Sequence, residues 1–276
     1  MRILVTSASG ANGDGYGAVL GFGPEGELAG PFSRDPRITD PRGMSLDPSG
    51  ALVYLNSGDD RMLALDLDGN VVRDSGPLPG LDPGGGEFGP DGRYYVTLRR
   101  GTIGVIPATL EENPGFLLPE GIVSFPCGFG FGDDGQVYLP SGVAPSGAGG
   151  DTIVVFGRSG AVRTPRLVSD PELSPLDLKV APGGNIVVAS EWPFGAPDAV
   201  VSVREYDPVT GQLVRVFAAG RSVGFRRPRG LRFGPGGRLY CVGEDHVVAF
   251  DFSTGRFVGP VVQLARLNGQ ALVLVP

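Results

Sequence analysis

The chain carries one histidine, His246, two residues after Glu244, and one tryptophan, Trp192, directly after Glu191. Carboxylate oxygens hold hard divalent cations, and an imidazole can take a proton near neutral pH. Glu191 and Glu244 are therefore candidate ligands for Ca²⁺ or Mg²⁺. Asp177 and Asn268 are further oxygen donors, and His246 is the candidate base. A second group of residues suits the opposite charge. Arg42 and Arg229 each sit in a Pro-Arg-Gly triplet, in PRGMSLDPSGALVY (41–54) and PRGLRFGPGGRLY (228–240), and Arg99 follows a β-rich run. Guanidinium forks of this kind match carboxylates and phosphates. Cys127 is a candidate nucleophile only if a base stands beside it. With one histidine in 276 residues, a multi-histidine zinc site is excluded. Trp192 opens the loop WPFGAPDA (192–199), where it could stack on a ligand or pack its own loop.

Such residues can act together only if the chain brings them to one place. The composition includes 47 Gly and 26 Pro, which is incompatible with long helices. The glycines recur at a long interval, as they do in repeat folds. The recurring anchors are Gly43, Gly85, Gly128, Asp177, Gly230 and Gly269, spaced by about forty to fifty residues. Each anchor opens a short alternating segment: MSL, GEF, FGF, LKV, LRF, QAL. A turn glycine follows seven residues later (Gly50, Gly92, Gly135, Gly184, Gly237), then a β-rich run such as ALVYL or RLYCV, a loop, and two further strands. Period-two alternation bounded by Gly, Asp and Pro predicts antiparallel strands.

Four strands per unit at this period predict an all-β, six-bladed β-propeller. The sixth unit is split: NGQALVLVP supplies its first strand, and MRILVTS, GAVLGFG and ELAGPF the other three. Blade 6 is thus divided between 267–276 and 1–32, so that the termini share one blade and leave no open edge. The expectation is a single domain over 1–276, with no leader and no second domain.

In such a ring the leading ends of the innermost strands and the ends of the second strands meet at one mouth of the central channel. Two rings of residues follow. The first is Arg42, Gly84, Cys127, Leu176, Arg229 and Asn268; the second is Ser57, Arg99, Gly142, Glu191, Glu244 and Ser7. Asp177 replaces an anchor glycine in blade 4. Glu87, Lys179 and Arg232 fall at equivalent points of three innermost strands, so the channel must hold an internal ion network or water. The loops 8–16, 142–151 and 192–199 would rim the same mouth.

The segment PRGMSLDPSGALVYLNSGDDRMLALDLDGNVV resembles an NHL repeat. The whole chain is similar to the six-bladed propellers that include NHL proteins, SMP-30/gluconolactonase-like lactonases and streptogramin lyases. The lactonase resemblance implies Glu, Asn and Asp ligands ahead of the anchors. Here only Asn268 matches, with Asp177 one position displaced, and Arg42 and Arg229 oppose a cation. The lyase resemblance, carried by GLRFGPGGRLYCVGEDHVVAFD, implies a histidine base near a glutamate-held magnesium, which maps to His246, Glu244 and Glu191.

The net charge of −7 argues against a general nucleic-acid binder. No apolar run reaches the length of a membrane span and the start lacks a signal peptide, so a cytoplasmic monomer is expected. Two functions follow. One is a propeller that binds a small or anionic ligand, or a protein partner, through Arg42, Arg99, Cys127, Asp177, Glu191, Trp192, Arg229 and Asn268. The other is a divalent-cation-dependent hydrolase or lyase at the same mouth.

Overall fold

The structure is a computed structural model that describes residues 1–9, 15–142, 152–170, 173–190, 202–217 and 225–276. Its strands form six four-stranded antiparallel sheets. In blade 1 these are Met44–Leu46, Leu52–Ser57, Arg61–Asp66 and Val71–Asp74, in spatial order from the innermost outward. Blade 6 is assembled as the sequence predicts. Gly269–Val275 is innermost and pairs with Arg2–Ser7, followed by Ala18–Phe22 and Leu28–Pro31. The innermost strands of blades 2 to 5 are Pro83–Phe88, Gly130–Phe131, Pro175–Val180 and Gly230–Gly234.

The alternating pattern buries side chains on both faces of each sheet, because every blade is covered by two neighbours. Six apolar clusters result, one at each blade boundary. The cluster between blades 6 and 1 joins Leu4, Val19 and Val273 to Met44, Val53 and Leu65, and so closes the ring.

Polar contacts also tie adjacent innermost strands together. The Gly43 amide donates to the Gly84 carbonyl (3.0 Å), Gly85 to Cys127 (2.8 Å) and Gly128 to Leu176 (2.7 Å). This explains the anchor glycines. A Cβ on Gly43 would sit 2.3 Å from the Gly84 oxygen, and one on Gly85 would sit 2.1 Å from the Cys127 oxygen. Side chains of the second strands reinforce the same seams. Thr6 Oγ1 donates to the Arg42 carbonyl (2.6 Å), Asn56 Nδ2 to that of Gly84 (2.7 Å), and Thr97 Oγ1 to that of Cys127. Among the described residues, no helix is long and apolar enough to cross a membrane.

Candidate functional site: the channel mouth

The innermost strands converge on a cavity of about 970 Å³ at one end of the channel. All six residues that precede the anchors line it: Arg42, Gly84, Cys127, Leu176, Arg229 and Asn268. Arg99, Asp177 and Glu244 line it too. Glu191 and Trp192 lie outside the described residues, as do 10–14 and 143–151 of the other two rim loops.

The second predicted ring needs a correction. Ser7 and Ser57 are fully buried and do not reach the mouth. The hairpin after the innermost strand is one residue longer in blade 1, where Leu46 faces Val53, than in blades 2 and 5, where Phe88 faces Tyr94 and Phe233 faces Leu239. Alignment on the turn glycine therefore slips by one in blade 1. Ser57 instead matches Ser141 and Ser190, and these hydroxyls accept the backbone amides of Thr39 (2.9 Å), Ser124 (3.0 Å) and Ser174 (2.9 Å). In blade 6 the Ser7 hydroxyl donates to the Leu267 carbonyl (2.5 Å), just ahead of the innermost strand, and accepts the Tyr16 amide (2.9 Å) of the loop to the third strand. They fasten the loops that lead into the channel.

His246 also lies elsewhere. It opens the third strand of blade 5, facing Gln263, and does not line the cavity. It is 6% exposed and its Nδ1 has no hydrogen-bond partner. Burial lowers its pKa, with Asp245 opposing, so the ring is held neutral and inside the blade.

The floor of the cavity is an ion layer. Lys179 Nζ is 3.1 Å from both Asp177 Oδ1 and Glu87 Oε2, and Arg232 reaches Glu87 Oε2 across the channel at 2.5 Å. Lys179 also donates to the Phe129 carbonyl (3.0 Å), Arg232 to those of Met44 (2.7 Å) and Leu272 (3.1 Å), and Ser45 to Glu87 Oε1 (2.9 Å). Burial alone would raise the Glu87 carboxyl, but the charges of Arg232 and Lys179 override it and hold it at about 2. The same carboxylate and Asp177 raise the Arg232 pKa against the effect of burial. Lys179 and Arg232 touch a smaller cavity of about 310 Å³ on the other side, so this layer divides the channel.

The oxygen donors expected to hold a cation are engaged in other bonds. Asp177 Oδ1 accepts the Leu178 amide (2.8 Å) besides Lys179, and its Oδ2 accepts the Leu231 amide (2.7 Å). Asp177 thus replaces glycine in order to bond blade 4 to blade 5. Asn268 Oδ1 accepts from Arg229 (3.2 Å) and Gln270 (3.3 Å), and Glu244 is 3.5 Å from Arg227. Among the described residues there is no group of three His, Cys, Asp or Glu placed to hold a metal ion. The donor set described here does not fit Ca²⁺ or Mg²⁺, because each carboxylate already faces a cation and an arginine stands beside it.

One recurrent feature escaped the sequence. Three residues before the anchor, the backbone is left-handed in four blades: Asp40 (φ 41°), Asp82 (φ 43°), Arg227 (φ 49°) and Arg266 (φ 63°). Asp tolerates this conformation, whereas a long side chain such as Arg costs about 1–2 kcal/mol there. Blades 1 and 2 use acids at this position. They neutralise the local arginines: Asp82 bridges Arg42 and Arg99 (3.1 Å to Arg99), and Asp40 lies 3.8 Å from Arg42. Blades 5 and 6 use arginines, so Arg227, Arg229 and Arg266 share one sector with Glu244 and Asp245. Among the described lining residues, seven are basic and four acidic. Asp82 and Glu87, just behind wall and floor, offset two more, so that among the described residues one basic charge is left over, in the sector of blades 5 and 6 where three arginines meet two acids. Positive φ was invisible at Arg227 and Arg266 because nothing in their residue type signals it.

The fold and this mouth define a class: a six-bladed β-propeller with a polar channel mouth. No protein-family model matches the chain, and no curated protein matches it. Solved structures do match. A propeller in the nidogen/laminin complex superposes with a TM-score of 0.76 at 14% identity, covering 98% of this chain and 97% of that one. Virginiamycin B lyase from Staphylococcus aureus, with quinupristin, gives 0.61 at 12% identity over 94% and 84%. A gluconolactonase from Xanthomonas campestris gives 0.61 at 17% identity over 81% and 76%. At these identities the likeness shows the shared fold, in agreement with the resemblance seen in the repeats.

Proposed function

We propose that this propeller binds an anionic small molecule at its channel mouth. The observation that carries the reading is the arginine sector of blades 5 and 6 on a cavity of about 970 Å³, in a chain whose net charge is −7. A concave site of this size suits a small ligand better than a flat protein surface does. Two arginines kept at left-handed positions support a role for those side chains, because strained residues persist where function uses them. The commitment of Asp177 and Asn268 to internal bonds supports binding over cation-dependent hydrolysis or elimination.

Calorimetric titration with succinate and inorganic phosphate tests this. Saturable binding is expected, weakened by salt and at least about tenfold by Arg229→Gln, since a charged hydrogen-bonding partner is lost. Stoichiometric binding of Ca²⁺, Mg²⁺ or Mn²⁺, with none for anions, would overturn it in favour of the metal-dependent reading.

A further inference from the structure

The mouth is unequal around its circumference, and that inequality bears on the shape of its ligand. Blade 3 faces blade 6 across the six-bladed ring. Where blades 5 and 6 present Arg227, Arg229 and Arg266 beside Glu244 and Asp245, blade 3 presents Phe125, Pro126 and Cys127 to the same cavity. Phe125 is half-buried, and the Arg99 guanidinium lies 5.5 Å from its ring, marking the edge of the apolar sector. No carboxylate of blade 3 lines the cavity among the described residues. A ligand that satisfies both sectors must be anionic at one end and apolar at the other.

We infer that the mouth takes an amphiphilic carboxylate, with its head on the arginines of blades 5 and 6 and its apolar body across the cavity against Phe125, Pro126 and Cys127. This rests on the anion-binding reading above and adds the apolar half to it. The head alone would bind weakly, because arginines near water gain little from one exposed carboxylate. Each methylene removed from water along the opposite sector adds affinity. The Cys127 thiol lies at the tail end of this arrangement, and Cys241 is fully buried, so Cys127 reports on the apolar sector by itself.

The test compares acetate, succinate, octanoate and the neutral octanol on the whole chain. Affinity is read by calorimetry, and the rate of Cys127 alkylation by iodoacetamide is read alongside. Octanoate is expected to bind at least tenfold more tightly than acetate or succinate and at least tenfold more tightly than octanol. It should slow alkylation of Cys127 at least fivefold, whereas succinate should leave that rate unchanged. Phe125→Ser should reduce octanoate to the level of acetate without altering succinate. If that variant does not fold, the alkylation footprint on the unaltered chain decides. Succinate binding as tightly as octanoate, or octanoate binding without protecting Cys127, overturns the amphiphile inference and leaves the anion site standing. Octanol binding as tightly as octanoate overturns it by removing the need for a charged head. Failure of every anion to bind overturns both.

Discussion

Two walls of the mouth are built on the same backbone and filled with different charges. In blades 1 and 2 the left-handed residue before each anchor is Asp40 or Asp82, and it neutralises Arg42 and Arg99 on the spot. In blades 5 and 6 the same position is Arg227 or Arg266, beside Arg229. The repeat sets where these side chains stand. It does not set their sign. The first wall closes its own charge balance, and among the described residues the second sets three arginines against Glu244 and Asp245. The ion layer beneath is a third arrangement of the same residue types. Its four charges are 11–22% exposed and are compensated within the layer. Depth separates the two settings: the charges of the layer are buried and must be compensated in place, while Arg227 and Arg266 are exposed at the mouth.

The floor gives the largest effect and serves as the reference for both walls. Glu87→Gln leaves Lys179 and Arg232 without their shared anion and should destabilise the fold by about 3–5 kcal/mol in urea melts. The pH dependence has a definite sign. The Glu87 carboxyl falls from its ordinary 4.5 to about 2 in the folded state, so its contribution is complete above pH 4.5 and is lost as pH falls towards 2. Acid unfolding in that window should be shallower in Glu87→Gln. An unchanged urea midpoint would show that the layer does not hold the channel.

Next in size is the conversion of one wall into the other. The double change Arg227→Asp and Arg266→Asp places acids at the left-handed positions of blades 5 and 6, as in blades 1 and 2. Succinate affinity should fall more than about thirtyfold, because a repulsive wall replaces an attractive one. The melting midpoint should hold or rise, since Asp is easier to place at positive φ. Retained affinity would move the anion site away from this wall. The separate change Arg227→Gly should raise stability by up to about 1 kcal/mol by removing the left-handed penalty, and should still cost affinity. The smallest effect is expected at Arg99→Ala. Its pair with Asp82 is 43% and 42% exposed, so stability should change by less than about 0.5 kcal/mol in a thermal melt.

Much of the fold was legible because its signals are local. Alternation, turn glycines and the long spacing of Gly43, Gly85 and Gly128 mark the blades, and the leftover strands at either end mark the split sixth. The mouth was legible in its first ring, for the same reason. The second ring failed at Ser57, because an extra residue in the blade 1 hairpin moved the count by one, and at Ser7, because in blade 6 no hairpin joins the innermost and second strands and only their pairing sets the register. His246 looked like a base on a loop next to Glu244. It opens a strand instead and packs inside the blade, while Glu244 sits in the bend before that strand and lines the mouth.

The sequence by itself determined the blade count, the antiparallel order and the presence of Glu87, Lys179 and Arg232 at matching depth. Only the tertiary structure decided their partners. Arg232 of blade 5 meets Glu87 of blade 2 because closing six blades sets them face to face, 145 residues apart in the chain. Asp177 looked like a displaced metal ligand and became a seam between blades, its carboxylate taking the Leu231 amide in place of a backbone contact. The physical reason is common to both cases. Strand and turn propensities act over a few residues, whereas the electrostatics of a channel depend on which strands the closed ring brings opposite one another.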